Sequence, residues 1–413
     1  MVERGHVEKG RVENGTLRTA PRPPGRRWLI LALGLGAQAA SCVFLFGMPF
    51  LVPALLATEG LSLAQAGAVV AAPSVGLLLT LIAWGAVADR YGERLVMALG
   101  LGASAVPLVV AGFGGHSPGR LVPLLLLAGA ATAAVNAASG RVVLGWFGAA
   151  ERGLAMGIRQ TAQPLGVGIA ALALPPLAQH AGVGAALLFP AGLAVVAAVL
   201  VAWLVTDPPR PPAPAPGAAR PVSPYRSPAL WRVHGASALL VVPQFAVAAF
   251  APVYLVTAHG WTPVAAGWFL AAVQGLGALG RLGAGYWSDR VRSRLRPMRL
   301  LAVASAVVMV LVAWGDVSGT VWVVVALVLA AVITVSDNGL GFTASAELAG
   351  RAWAGRALGA QNTAQNIAAS LTPPLLGLLI GDTRYALAFA VAAVFPLLAI
   401  RMVPVHAERL ADT

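Results

Sequence analysis

Charge is the scarcest commodity in this sequence. Of its 413 residues, 10% are Asp, Glu, Lys or Arg and 58% are hydrophobic. Soluble domains carry roughly 25% charged residues, so too few are present to wet the surface of a globule this long. Lysine is nearly missing: Lys9 is the one lysine among 28 basic residues, which leaves 27 arginines. We read that bias as genome composition. Cysteine is nearly missing too. Cys42 stands alone in the first apolar block, which excludes an intrachain disulfide and any Cys-based metal site. No Gly-x-x-x-x-Gly-Lys-Ser/Thr loop occurs, so ATP is not expected to drive anything here. No His-Glu-x-x-His and no serine nucleophile elbow occurs either, so an enzyme reading has no support and no cofactor is expected. The net charge of +13 is spread between apolar blocks, with no folded basic domain for nucleic acid.

The apolar residues come in long runs. They lie at about 28–57, 63–88, 95–113, 120–147, 154–178 and 183–206, then at about 230–257, 264–287, 299–315, 320–347, 356–380 and 384–403. Each is near or above the roughly 20 residues that cross the hydrocarbon core. They are too long, and lack the two-residue alternation, for barrel strands. The expected fold is an all-α membrane protein of twelve transmembrane helices. Residues 1–27 read as a disordered tail, or as translation from an upstream start, with the short repeat Val2-Glu3-Arg4-Gly5, Val7-Glu8-Lys9-Gly10, Val12-Glu13-Asn14-Gly15. No cleavable signal peptide is evident, because the first apolar block is too long for one. The expected divisions are a six-helix bundle over 28–206, a Pro-rich cytoplasmic linker over 207–229, a second bundle over 230–403 and a tail over 404–413.

Arginine placement orients the chain. With the N-terminus inside, the cytoplasm receives Arg90, Arg94, Arg152, the linker arginines, Arg290 to Arg299, Arg351, Arg356, Arg401 and Arg409, and the outside receives Arg120 and Arg384. That asymmetry predicts cytoplasmic termini and a plasma (inner) membrane location.

The halves repeat each other. At a spacing of 200, Gly85, Asp89, Arg90 and Arg94 match Gly285, Asp289, Arg290 and Arg294. At 202, Thr132 and Asn136 match Thr334 and Asn338, and Gly157 and Thr161-Ala162-Gln163 match Gly359 and Thr363-Ala364-Gln365. An offset of six helices makes the repeat parallel, with its axis along the membrane normal. Two such halves can rock about a central cavity, which favours a transporter over a receptor or membrane enzyme.

These residues resemble the major facilitator superfamily, whose loop 2–3 signature is Gly-x-x-x-Asp-Arg-x-Gly-x-Arg. Gly85 to Arg94 match it in full; in the second copy, Gly285 to Arg294, Arg292 replaces the later glycine. The resemblance covers about 28–403 and implies a secondary transporter in which this motif is conformational. Gly85, Asp89, Arg90 and Arg94, with Gly285, Asp289, Arg290 and Arg294, are therefore gating candidates. A narrower resemblance, in Trp146-Phe147, Glu151 to Thr161 and Pro164-Leu165-Gly166, is to the cyanate-permease and nitrate/nitrite-porter-like anion branches. The helix-5 signature of drug antiporters is broken at Gln163 and Val167.

A charge inside the membrane is costly and reads first as functional. Arg281 lies eight residues before Asp289, roughly 12 Å from the helix end. The pattern Arg281-x-x-x-Gly285-x-x-x-Asp289 is similar to helix 8 of monocarboxylate transporters, where the arginine binds the substrate carboxylate. A guanidinium fork suits a planar anion; the plainer reading is an arginine that snorkels or pairs within the bundle. Arg159 lies roughly 10 Å into helix 5, as a second anion site or a buried donor that fixes the helix. Asp337 is the clearly deep carboxylate, a proton-coupling candidate or half of a permanent ion pair. Asn136, Asn338, Gln244 and Gln38 are candidate cavity residues, with Gln274 a weaker one. Arg141 is expected to snorkel, and Glu347 to join a charge network at the helix end. The leading expectation is a monomeric, proton-coupled carrier of a small inorganic or carboxylate anion. The alternative is a proton-driven exporter of hydrophobic or cationic compounds with Asp337 as the cation site.

Overall fold

The computed structural model describes residues 24–208, 222–320, 322–380 and 385–410. The repeat-bearing tail before residue 24, the Pro-rich linker over 209–221, Arg384, the Arg409 side chain and the last three residues lie outside the described residues.

The described residues form fourteen α-helices and no strand. Together they make the twelve spans of two six-helix repeats. In the first half, α1 (Pro24–Gly47), a 3-10 turn at Met48–Leu51 and α2 (Val52–Ala57) make span 1. The next three spans are α3 (Leu63–Tyr91), α4 (Glu93–Gly112) and α5 (Pro118–Trp146). Span 5 is α6 (Arg152–Gln160) continued by the first part of α7 (Ala162–Leu204), and span 6 is the rest of α7. The break inside α7 is Gly182, at φ 84° and ψ 167°, a conformation that glycine adopts without a Cβ penalty. In the second half, α8 (Pro228–Thr257), α9 (Pro263–Arg290) and α10 (Leu295–Ser318) are followed by span 10, which is broken at Asp337 into α11 (Trp322–Ser336) and α12 (Asn338–Ala349). The last spans are α13 (Ala354–Ile380) and α14 (Tyr385–Met402).

Local chemistry starts these helices where they start. Ser62 and Gln65 form a reciprocal capping box ahead of α3. Thr262 and Ser227 accept backbone N–H groups at the heads of α9 and α8, each with proline in the first turn.

Nine stretches among the described residues are long and apolar enough to span by composition alone, one of them the fused pair of spans 5 and 6. Span 11, built by α13, is absent from that set, because Gln361, Asn362, Gln365 and Asn366 dilute it. Its polar residues face protein rather than lipid, because only there can such groups be satisfied.

Packing within the first half joins α3 to α5, α1 to α7 and α4 to both α5 and α7; in the second, α14 packs on α10 and α8. The halves meet along two seams, α3 against α13 and α6 against α9. Each half keeps its own apolar core, one around Phe44, Leu81 and Leu125 and the other around Tyr254, Met309 and Phe389.

Candidate functional site

Between the halves lies a cavity of about 90 Å³ lined by α1, α3, α5, α6, α7, α8, α12 and α13. It adjoins a larger space of about 630 Å³ that runs between α1, α7, α8, α9 and α11. Phe46, Gln163, Gln244 and Phe245 line both.

The smaller chamber is walled by amides from both halves. Gln38 donates to the Asn136 side-chain oxygen at 2.8 Å. In the other half, Asn338 donates to the Gln244 oxygen at 3.0 Å. Gln160 and Gln163 stand opposite Asn362 and Gln365, 202 residues later. All four candidate amides thus reach the chamber, and Gln274 lines the larger space. The sequence reading missed Gln160, Gln163, Asn362, Gln365 and Asn366, although Gln163 and Gln365 had marked the repeat.

The two buried arginines are in unlike situations. Arg159 is 3% exposed and lines the amide chamber. Its Nε donates to Ser139 Oγ at 2.8 Å, its Nη1 to Gln160 Oε1 at 2.7 Å and its Nη2 to the Asn136 carbonyl at 3.2 Å. The face of Phe342, from the other half, lies 5.4 Å from its guanidinium carbon. Arg159 therefore ties α6 to α5 and holds the chamber wall. Arg281 is 2% exposed and lines the larger space, yet its Nε and Nη1 have no hydrogen-bond partner. Asp337 is 2% exposed and its Oδ2 is likewise unpartnered. Their opposite charges attract across the gap, but no hydrogen bond or ion pair joins them. Asp337 sits at the break between α11 and α12, where its own carbonyl accepts from Gly341 N at 3.0 Å.

The arginine-rich end is closed by two equivalent clasps. Asp89, at the end of α3, accepts from Gly355 N at 2.7 Å and Arg356 N at 3.2 Å, at the head of α13. Asp289, at the end of α9, accepts from Gly153 N at 2.9 Å and Leu154 N at 2.8 Å, at the head of α6. Each carboxylate meets the unsatisfied N–H groups and positive dipole end of a helix from the other half. The approach requires glycine: a Cβ on Gly85 would collide with the Gly355 carbonyl, and one on Gly285 with the Gly153 carbonyl. Arg294 pairs with Asp289, donates to Ala149 O, and lies 3.5 Å from Glu347; Arg152 donates to Glu347 at 3.3 Å.

The arginines of the first clasp are arranged differently. Arg94 does not reach Asp89; its backbone N donates to Asp207 at 2.8 Å and its Nε to Ala202 O at 2.7 Å, at the end of span 6. Arg141 takes its place. It pairs with Asp89, donates to Glu93 Oε1 at 2.8 Å and to Arg351 O at 3.1 Å, rather than snorkelling to water, because two carboxylates face it. Arg90 and Arg290 are exposed and lie over Tyr91 and Tyr286, away from both clasps. Beside the first clasp, Tyr225 touches Trp231, His234 and Trp353; burial and the Asp89 carboxylate push its hydroxyl up to about 12, so it stays neutral.

Among the described residues, every hydrogen bond between the halves lies at this end or beside the chamber, where Asn362 reaches the Asn136 carbonyl at 3.5 Å. The larger space runs the other way, toward Phe50 and Phe269.

Two parallel six-helix repeats, a cavity on the axis between them and a breakable closure at one end define a carrier that works by alternating access. The profile described as Major Facilitator Superfamily matches residues 33–373, and the chain belongs to that superfamily of membrane transporters. An uncharacterized MFS-type transporter of Mycobacterium tuberculosis is 45% identical over 387 residues, 94% of this chain and 86% of that protein. A glycerol-3-phosphate transporter of Bacillus subtilis is 26% identical over 308 residues, 67% of each chain. Among solved structures, a proton:xylose symporter superposes with a TM-score of 0.72 at 14% identity, covering 91% of this chain and 95% of its own. The human organic anion transporter superposes with a TM-score of 0.72 at 17% identity, over 92% of this chain and 100% of its own. The solved structures establish the fold.

The clasps predict a conformational phenotype. Hydrogen bonds to a charged group contribute about 1.5–3 kcal/mol. Asp89→Asn with Asp289→Asn should shift the population at least about ten-fold toward a state open at the arginine-rich end. Gly85→Val should do the same by steric collision with Gly355. Spin-label distances across the two halves at that end should lengthen in both variants; distances matching wild type would show that the clasps do not hold the closure.

Proposed function

We propose that this carrier moves a small anion, inorganic or carboxylate, together with a proton. The observation that carries the reading is Arg281: a guanidinium buried in the membrane-spanning part, on the cavity wall, with two donor nitrogens left unpartnered. An unpaired buried charge is expensive, and an anion entering the cavity supplies the missing partner with matching fork geometry. Arg159, already hydrogen-bonded to its neighbours, adds positive potential and shape rather than the primary contact. No acidic side chain lines either space among the described residues, which argues against a cation as cargo. The resemblance of residues 146–166 to cyanate-permease and nitrate/nitrite-porter-like branches supports the anion side. So does the Bacillus subtilis relative, whose name specifies glycerol 3-phosphate, an anion.

Asp337 is the coupling group in this scheme. It is close enough to Arg281 for their charges to interact and bonded to it by nothing. An arriving anion partners the arginine, and a proton on the Asp337 carboxylate removes the charge then left facing it. Anion and proton then bind together, and neutralising both eases passage through a low-dielectric path. The arginine-rich end faces the cytoplasm by the positive-inside rule, so the described state is closed inward. Two bundles, 28–206 and 230–403, rock about the linker at 207–229. Asp89 and Asp289 release α13 and α6 as the inner side opens. The cavity is complete within one chain, so the working unit is a monomer.

The test is uptake into proteoliposomes under an inward proton gradient, with labelled nitrate, cyanate, lactate and a dicarboxylate. Wild type should take up at least one anion with gradient stimulation. Arg281→Ala should reduce that uptake by at least about ten-fold, the cost of one charged hydrogen-bonded contact. Asp337→Asn should retain exchange but lose the gradient's effect. Absence of anion uptake, with proton release on adding lipophilic cations, would overturn the proposal in favour of an exporter.

A further inference from the structure

The amide chamber reaches beyond charge recognition. Nine carboxamides line it: the repeat pairs Asn136/Asn338, Gln160/Asn362 and Gln163/Gln365, with Gln38, Gln244 and Asn366. The one charged side chain among them, Arg159, is engaged with Ser139, Gln160 and the Asn136 carbonyl. A carboxamide offers both a donor and an acceptor. A bare inorganic anion can use only the donors, and the carbonyl oxygens would repel it. A wall of this kind fits a ligand whose groups also donate and accept, and hydroxyl groups do both.

Several of these amides have unfilled capacity. Gln365 is 8% exposed and its Nε2 has no partner; Asn136 Nδ2 is also unpartnered. Gln163 makes no hydrogen bond within the described residues, although it lines both spaces. Buried polar groups are normally satisfied, so orphans aimed into one chamber mark where ligand atoms belong. Gln163 and Gln244 connect this chamber to the space containing Arg281. One molecule can therefore place an anionic group at Arg281 and a polar body against Gln163, Gln365 and Asn366.

Resting on the anion reading, we infer that the substrate is a hydroxylated organic anion, a polyhydroxy carboxylate or polyol phosphate, rather than an inorganic anion or a plain fatty acid. Arg281 binds the acid group and the paired amides count the hydroxyls. A deoxy analogue leaves those amides unpartnered, and discrimination follows from the cost of that loss.

Binding to the purified full chain in lipid nanodiscs, measured by titration calorimetry, tests this. The probes are gluconate against hexanoate, glycerate against propionate, sorbitol as the neutral polyol, and nitrate. Gluconate and glycerate should bind at least about ten-fold more tightly than their deoxy partners, the equivalent of one well-made hydrogen bond. Gln163→Leu, which breaks no internal hydrogen bond, and Gln365→Leu should each shrink that ratio several-fold. Arg281→Ala should abolish binding of the acids. Equal binding of gluconate and hexanoate, both lost in Arg281→Ala, would overturn this inference and leave the anion reading standing. Sorbitol binding as well as gluconate, with no effect of Arg281→Ala, would overturn the anion reading itself. Nitrate binding more tightly than any hydroxy acid, or no hydroxy acid binding, would also overturn the inference.

Discussion

A carboxylate that caps a helix belonging to the other half is the contact on which the closed state depends. Asp89 and Asp289 each accept two backbone N–H groups across the interface, at the heads of α13 and α6. Such capping is ordinary within a chain segment; here it joins two bundles, beside an apolar cluster in which Val143 and Met156 meet Phe342 and Leu358. It works only because Gly85 and Gly355, and Gly285 and Gly153, bring backbones into contact. The carboxylates lie at the very ends of α3 and α9, so water can replace their partners once the halves separate. A closure built from hydrogen bonds to main chain is specific in position and reversible in use. An apolar seam of equal extent would hold without the same register.

The cavity follows from the same repeat. Each clasp fixes the start of a helix, and the polar residues one to three turns further along arrive at the axis. Asn136 and Asn338, Gln160 and Asn362, Gln163 and Gln365 come to face one another because the halves are related by a near two-fold axis. Symmetry is broken by charge. Arg159 has Gln361 as its counterpart, Arg281 has Leu81 and Asp337 has Val135. Ser139, which accepts from Arg159, is matched by Gly341, whose missing side chain leaves room beside Gln361. A pseudo-symmetric amide chamber with an asymmetric set of charges can bind a ligand that is polar throughout and ionic at one end.

Two of the interruptions in the spans fall beside this chamber. Thr161 separates α6 from α7, and Asp337 separates α11 from α12, each with right-handed helical backbone, so the chain keeps its direction through both. Thr161 lies between Gln160 and Gln163, and Asp337 precedes Asn338, all three on the chamber wall. The α13 helix falls short as a membrane span by composition because its polar residues serve the interior.

Much of this was legible in the sequence. Helix number, the parallel repeat and the clasp motif follow from run length, spacing and a few polar residues, because lipid permits few backbone solutions and the motif glycines admit few substitutes. Arg281 and Asp337 stood out because any charge at that depth is costly. What the sequence left open was pairing. It set Arg94 and Arg294 as equals, yet Arg294 reaches its Asp and Arg94 turns to Asp207, while Arg141 takes the vacant position. It weighed Arg159 and Arg281 together, yet one is saturated and the other is not. It used Gln163 and Gln365 as marks of the repeat without seeing that they share a wall. Sequence determines which residues are too polar for lipid; helix rotation and the crossing of the two halves decide which of them find partners, and that depends on contacts between different helices, as when Arg94 meets Asp207, 113 positions away, and Arg141 meets Asp89, 52 positions away.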